Sequence, residues 1–333
     1  MEVIRDGDRR TRPERAAVVT IGAFDGVHLG HQALISRLRE QARQGGLDSA
    51  VVTFDRHPAT VVHPERAPLL LTDLDQKLEL LAGQDLDRAL VVTFDQGRSQ
   101  ESAEHFVADT LVERLRAGVV VVGQDFRFGH GRRGDVSMLA ACGTQLGFAV
   151  EDIAPVRGPV PNSDGSFALS PGDPRGDVIS SSRIRRLVAD GQVGQAAQLL
   201  GRPHELRGVV ARGDGRAGPL LGFPTANVEI PQAILLPADG VYAGTYQRPS
   251  GSVHRAAISI GCRPTFYGPS ARSVLEVHVL DGFSADLYGE AARVRVMERL
   301  GDQQRFGAVE DLIVQIHKDV EAAQAALQGW RGC

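Results

Sequence analysis

Lysine is almost missing from this 333-residue chain: of its 37 basic residues only Lys77 and Lys318 are lysine, the rest being arginine. Neither sits in a glycine-rich run and no G-x-x-x-x-G-K-[ST] segment occurs, which excludes a Walker-type phosphate loop. Phosphate chemistry, if present, must rest on arginine, histidine, backbone amides or a metal. Cysteine is scarce too. Cys142, Cys262 and Cys333 are odd in number, far apart and form no C-x-x-C, which argues against a disulfide framework and a structural zinc site. A reducing cytoplasm is the expected setting. No run approaches the ~18 apolar residues of a membrane span, and Met1 to Arg15 is charged without an apolar core, so neither membrane insertion nor secretion is expected. A basic surplus is also lacking. The net charge of −4 provides no general field for nucleic acid, and a small anionic substrate fits at least as well.

What is present is ordinary for a globular protein, 42% hydrophobic and 23% charged, in a chain long enough for two domains. Four apolar β-type runs, 18–21, 50–54, 89–94 and 118–123, alternate with helical patterning over Leu74 to Leu81 and Ala103 to Leu115. This rhythm predicts an α/β domain with a parallel sheet, whose ligands bind beyond the carboxyl ends of the strands. The Pro- and Gly-rich stretch 156–177 reads as a long loop or lid. In the following run 179–187, serine caps an apolar-periodic helix whose first turn is crowded with arginine. That pattern suits an anion site or a solvated basic face about equally. From Leu206 onward, short β-type runs at 206–212, 241–247, 254–260, 273–280 and 291–299 predict a small antiparallel barrel or sandwich. An amphipathic helix carrying Val309, Leu312, Ile313, Ile316, Val320 and Leu327 closes the pattern. The expected domains are 1–186 and 204–333, bridged by a helical linker over 187–203.

The richest stretch is Gly22–His31 (GAFDGVHLGH), between the β-branched run 18–21 and the helical pattern of Leu34, Ile35, Leu38 and Ala42. A glycine-rich turn opening a helix at a strand end offers unpaired N–H groups and a dipole to an anion. His28 and His31 lie three apart, so both can face that anion and donate hydrogen bonds to phosphate oxygens. Zinc is disfavoured, because no H-E-x-x-H pattern and no nearby cysteine completes a ligand set.

Three runs in the first half, Gly22–His31, 121–129 (VVGQDFRFG) and 179–185 (ISSSRIR), resemble motifs of the bacterial bifunctional riboflavin kinase/FAD synthetase family. Four in the second half do so as well: 222–227 (GFPTAN), 236–244 (LPADGVYAG), 264–266 (PTF) and 286–289 (DLYG). The ordered series spans nearly the whole chain. The resemblance implies a Rossmann-like nucleotidyltransferase domain that adenylylates FMN to FAD. It also implies an antiparallel β-barrel riboflavin kinase domain with a C-terminal helix, which makes FMN from riboflavin. ATP is the co-substrate of both steps and Mg2+ the expected cofactor. Neither nucleic acid nor membrane is an expected partner, and self-association is left open.

By the same resemblance, Gly22, Phe24, Asp25, His28, His31, Ser181, Ser182 and Arg185 belong to ATP binding in the first half. Gly222, Pro224 and Thr225 do so in the second. Asp125 and Arg127 lie by the flavin, Thr225 and Asn227 hold magnesium, and Glu276 is the general base, with His28 and His31 as the catalytic pair of the first half. On local sequence alone, Glu276 reads as a solvent-facing strand residue and 224–227 as a simple turn. Arg56, Ser182 and the pair Cys262 and Arg263 depart mildly from the pattern. Pro219 and Gly301 stand where basic residues are expected, so an adenylyltransferase with a weak or lost kinase is one alternative. A non-catalytic flavin-binding regulator is another.

Overall fold

The computed structural model describes residues 1–8, 13–158, 160–161, 167–168, 176–211, 225–261, 273–280, 287–304 and 309–330. The chain divides into two compact units, Met1–Ser181 and Ser182–Cys333.

Six strands frame the first unit: β1 (Glu2–Arg5), β2 (Ala17–Ile21), β3 (Asp48–Phe54), β4 (Arg88–Val92), β5 (Ala117–Gly123) and β6 (Ala149–Ile153). All pair in parallel, in the order β1-β4-β3-β2-β5-β6. The inner strands are β-branched because both their faces are covered. Val19, Ile21, Val52 and Val92 pack on one side with Phe106, Leu111 and Leu139. Val18, Val51 and Val91 pack on the other, against Ile35 and Leu38 of α1 (Leu29–Gly45) and Leu78 and Leu81 of α2 (Leu74–Ala82). The edge strands β1 and β6, EVIR and AVEDI, mix charge with apolar residues and fall outside the four expected runs. The chain runs outward from β2 through β3 to β4, then returns to β5 on the opposite side of β2. That reversal opens a crevice beside the end of β2.

Most of 156–177 lies outside the described residues. Its described part corrects the reading as a plain loop: Val160–Pro161 pairs antiparallel with Phe167–Ala168. Gly158 N–H donates to Asp177 and Ile179 N–H to Val156, at 2.8 and 2.9 Å, so the excursion leaves and returns at one point.

The second unit is a closed antiparallel barrel, which resolves the choice between barrel and sandwich. Its strands are β7 (His204–Ala211), β8 (Thr225–Glu229), β9 (Gly240–Gln247), β10 (Val253–Gly261), β11 (Val274–Val279) and β12 (Ala291–Gly301). Their order is β8-β11-β10-β9-β12-β7, with β7 closing on β8 through Ala211 and Asn227. Tyr242, Tyr246, Ile258, Val277 and Val294 are fully buried. The linker expected over 187–203 contains the end of α3 (Ser181–Ala189) and α4 (Val193–Leu200), and α4 packs on β12 and β7. The final helix, α5 (Val309–Ala326), covers β9, β10 and β12. Ala323 and, just past the helix, Leu327 are buried there with Ala243 and Ala257. Ile313, Ile316 and Val320 are half-buried, while the side chains of Val309 and Leu312 lie outside the described residues.

Candidate active sites

At the end of β2 the backbone bends sharply. Gly22 N–H still bonds Val52 at 3.0 Å, but Phe24, Gly26 and Val27 all have positive φ, of 50°, 81° and 38°. For a β-branched residue such as Val27 this is a strained conformation, costing on the order of 1–3 kcal/mol, and it persists only where neighbours enforce it. The neighbours are on hand. The buried Asp25 carboxylate accepts from the backbone N–H groups of Leu71 and Thr72 at 3.0 and 3.1 Å. Thr72 Oγ1 accepts from Gly26 N–H at 3.1 Å, and Gln32 Nε2 donates to the Val27 carbonyl at 2.9 Å. From beneath, Lys77 Nζ donates to the carbonyls of Phe54 and Ala23 at 2.7 and 3.2 Å.

The turn delivers two histidines. His28 is the N-cap of α1, its Nδ1 accepting from His31 N–H at 3.3 Å, which leaves Nε2 as the protonated nitrogen of the neutral ring. The rings stack with centroids 3.6 Å apart and planes 15° from parallel, and Phe24 packs edge-on to His31 at 5.0 Å. Burial holds the His31 pKa well below 6.5, and His28 and the Lys77 ammonium lower it further. His31 Nδ1 is buried with no partner among the described residues. A neutral, preoriented imidazole with an unsatisfied buried nitrogen suits a ligand that brings its own hydrogen-bonding groups.

Ser181 joins this site: its Oγ donates to the Asp25 carbonyl at 2.9 Å. A Cβ on Gly30 would stand 3.3 Å from the Ile179 carbonyl and 3.1 Å from the His28 ring, so glycine permits the approach. Asp125 and Arg127 are exposed just past β5, the strand beside β2. Of the expected residues, Gly22, Phe24, Asp25, His28, His31 and Ser181 are thus brought together. Ser182 and Arg185 follow Ser181 on α3 but belong to the second unit.

In the barrel, Ala226 and Val228 are buried while Thr225 and Asn227 face outward. On β11, Leu275 and Val277 are buried while Glu276 and His278 are half-buried. Asn227 lies directly opposite Glu276, and Thr225 opposite His278. Opposed residues of an antiparallel pair have Cβ atoms about 4.5–5.5 Å apart, so the amide and the carboxylate share one small patch of wall. Gly222, Pro224, Pro219, Cys262, Arg263, the 264–266 motif and Asp286 lie outside the described residues. Gly301 ends β12 with nothing within 4 Å of a Cβ built there.

The comparisons follow this division. A family model for FAD synthetase matches residues 10–159, and one for riboflavin kinase matches 200–327. The bifunctional riboflavin kinase/FMN adenylyltransferase of Haemophilus influenzae is 35% identical over 98% of this chain and 99% of its own. The chain belongs to the bifunctional riboflavin kinase/FMN adenylyltransferase family. The Escherichia coli K12 member is 37% identical over 92% of this chain and 91% of its own. A crystal structure from Streptococcus pneumoniae described as a macrolide-efflux protein superposes with a TM-score of 0.81 at 28% identity. It covers 99% of this chain and 100% of that one. Among the described residues here, no helix is long and apolar enough to cross a membrane.

Three features of this family member escaped sequence reasoning. Lys77 and Thr72 support the turn from some fifty residues away, and β8 carries the Asn227 side of the second site. The only local signal for Lys77 was its rarity.

Proposed function

We propose that this chain makes FMN from riboflavin in its barrel and FAD from FMN in its parallel-sheet unit, consuming one ATP at each step. The observation that carries the reading is one chain matching both family models in sequence, with relatives of the same two-part description along nearly their full lengths.

In the first unit, an FMN phosphate oxygen attacks the α-phosphorus of ATP, the bond to the β-phosphate oxygen breaks, and pyrophosphate leaves. Such a transfer needs positioning and charge stabilisation more than a strong base. His28 and His31 supply imidazole donors to the phosphates at the mouth of α1, where the helix dipole adds to them. Ser181 belongs to the far end of the triphosphate, while Asp125 and Arg127 lie by the flavin. Asp25 is assigned a supporting part: its carboxylate is turned inward onto Leu71 and Thr72 and fixes the turn that binds ATP.

In the barrel, Glu276 takes the proton of the riboflavin hydroxyl as its oxygen attacks the γ-phosphorus, and ADP leaves. Magnesium belongs to this reading. Thr225 and Asn227 present neutral oxygens on the face that carries Glu276, and no cluster of three His, Cys, Asp or Glu poised for a metal occurs among the described residues. Neutral oxygens, phosphates and water together suit a hard cation that keeps several waters. Bound there, it would offset phosphate charge. The scattered cysteines suit a reducing cytoplasm.

The test is purified protein with riboflavin, ATP and magnesium, products separated by chromatography. Both FMN and FAD are expected; finding neither would refute the reading. Pro219 and Gly301, standing where the resemblance leads one to expect basic residues, motivate one narrower outcome, FAD from supplied FMN but none from riboflavin.

A further inference from the structure

Lys77 occupies a costly position. It lies in the first turn of α2, whose N-cap Asp73 accepts from Gln76 N–H at 2.7 Å, where the helix dipole disfavours a cation. It is also only 7% exposed, and a buried ammonium is tolerated when its donors are satisfied and opposite charge is near. Its satisfaction comes from the Phe54 and Ala23 carbonyls, at the ends of neighbouring strands β3 and β2. Burial brings its pKa down to about 8 against the opposing pull of Asp25 and Asp55. A residue that breaks a local rule at such a site calls for a compensating function.

The compensation lies in a peptide plane. In a trans peptide the carbonyl and the following N–H point opposite ways, and the chain has no cis bonds. With the Ala23 carbonyl drawn toward Lys77, the Phe24 N–H is turned away from it. Phe24 is 1% exposed, held at φ 50°, and its N–H has no acceptor among the described residues. A backbone N–H without an acceptor inside the protein is rare and is available to one that a ligand brings.

We propose that Lys77 is a positioning residue for adenylyl transfer, clamping the Ala23 and Phe54 carbonyls so that the Phe24 N–H is presented to an anionic phosphate oxygen. This rests on the reading of the first unit as the adenylyltransferase. Lys77 touches no phosphate in this scheme. It acts through the backbone, which explains how a phosphate site with almost no lysine still depends on one.

The test uses the full chain with Lys77→Met, which keeps bulk without donors or charge, and Lys77→Arg, which keeps both. In Lys77→Met, kcat for FAD formation from FMN and ATP is expected to fall about 10- to 100-fold, the scale of one lost charge-assisted hydrogen bond. KM for ATP should move far less. FMN formation from riboflavin, read in the same preparation, should be unchanged. Lys77→Arg should restore most of the rate at pH 7. The groups facing Lys77 are Asp25 on the turn, Asp55 past β3 and His31 on α1. The Asp55 pKa is lowered and the depressed His31 is neutral above pH 7, so wild-type activity should decline as pH rises through about 8 and Lys77→Arg should abolish that decline. Wild-type kcat in Lys77→Met overturns the proposal. Should Lys77→Met be unfolded, an alkaline limb unmoved in Lys77→Arg overturns it instead. If the wild type makes no FAD from FMN, the adenylyltransferase reading itself has failed, a separate result.

Discussion

Asp25→Ala is expected to loosen the turn after β2 without disturbing the barrel. The 4% exposed carboxylate accepts two backbone N–H bonds near 3.0 Å and the Thr72 hydroxyl at 3.3 Å. Bonds to a charged acceptor contribute roughly 1.5–3 kcal/mol each, and the hydroxyl can turn elsewhere, so the amides set the scale. Relief of the buried charge and partial relaxation offset some of this, leaving about 2–4 kcal/mol, against about 5–15 kcal/mol for a whole domain. Asp25→Asn keeps one acceptor oxygen but sets an NH2 where Oδ2 now receives Leu71 N–H at 3.2 Å, and about half that loss is expected. Because two units need not unfold in one step, the assay is activity retained in graded urea, read separately for FAD formation from FMN and FMN formation from riboflavin. At a slope of roughly 2 kcal/mol per molar urea, the midpoint for FAD formation should fall by about 1–2 M in the alanine variant. An unmoved midpoint, or equal shifts for both activities, would refute the idea that Asp25 braces the turn.

Glu276→Gln should cut FMN formation from riboflavin roughly 100- to 10,000-fold while FAD formation from supplied FMN continues, as measured by product chromatography. His31 has a folded pKa depressed below 6.5, so the unfolded chain takes up its proton first. The first unit should therefore lose stability as pH falls below about 6.5, and His31→Asn should flatten that slope in thermal melts. Gly129 has φ 72° and a Cβ there would lie 2.7 Å from the Ala103 backbone, so Gly129→Ala should cost about 2–4 kcal/mol, visible as a lowered Tm.

The central strands of the sheet were legible because burial on both faces leaves unbroken β-branched runs. The edge strands were not, since EVIR and AVEDI carry the charge of a partly exposed position. The His28–His31 turn could be read from glycine spacing and the strand before it. Whether Asp25 faced ligand or protein could not, because a carboxylate signals neither direction. Lys77 was hidden for a related reason: its partners are carbonyls, which every residue carries. The five residues of β8, TANVE, follow a Gly/Pro-rich run and read locally as a turn. They become a strand through ladders on both sides, to β7 and β11, which only barrel closure provides.

The Asn227–Glu276 pairing also dictates where this chain can gain or lose residues. Side chains alternate along β8 and β11, so one residue inserted into or deleted from either strand would turn part of it over. Asn227 or Glu276 would then enter a core packed by Val228, Leu275 and Val277, with alanine or valine left on the chemical face. Length variation that preserves the kinase is therefore confined to the connections between strands. In the barrel wall a frame error of one residue is as damaging as replacing Asn227 or Glu276 outright.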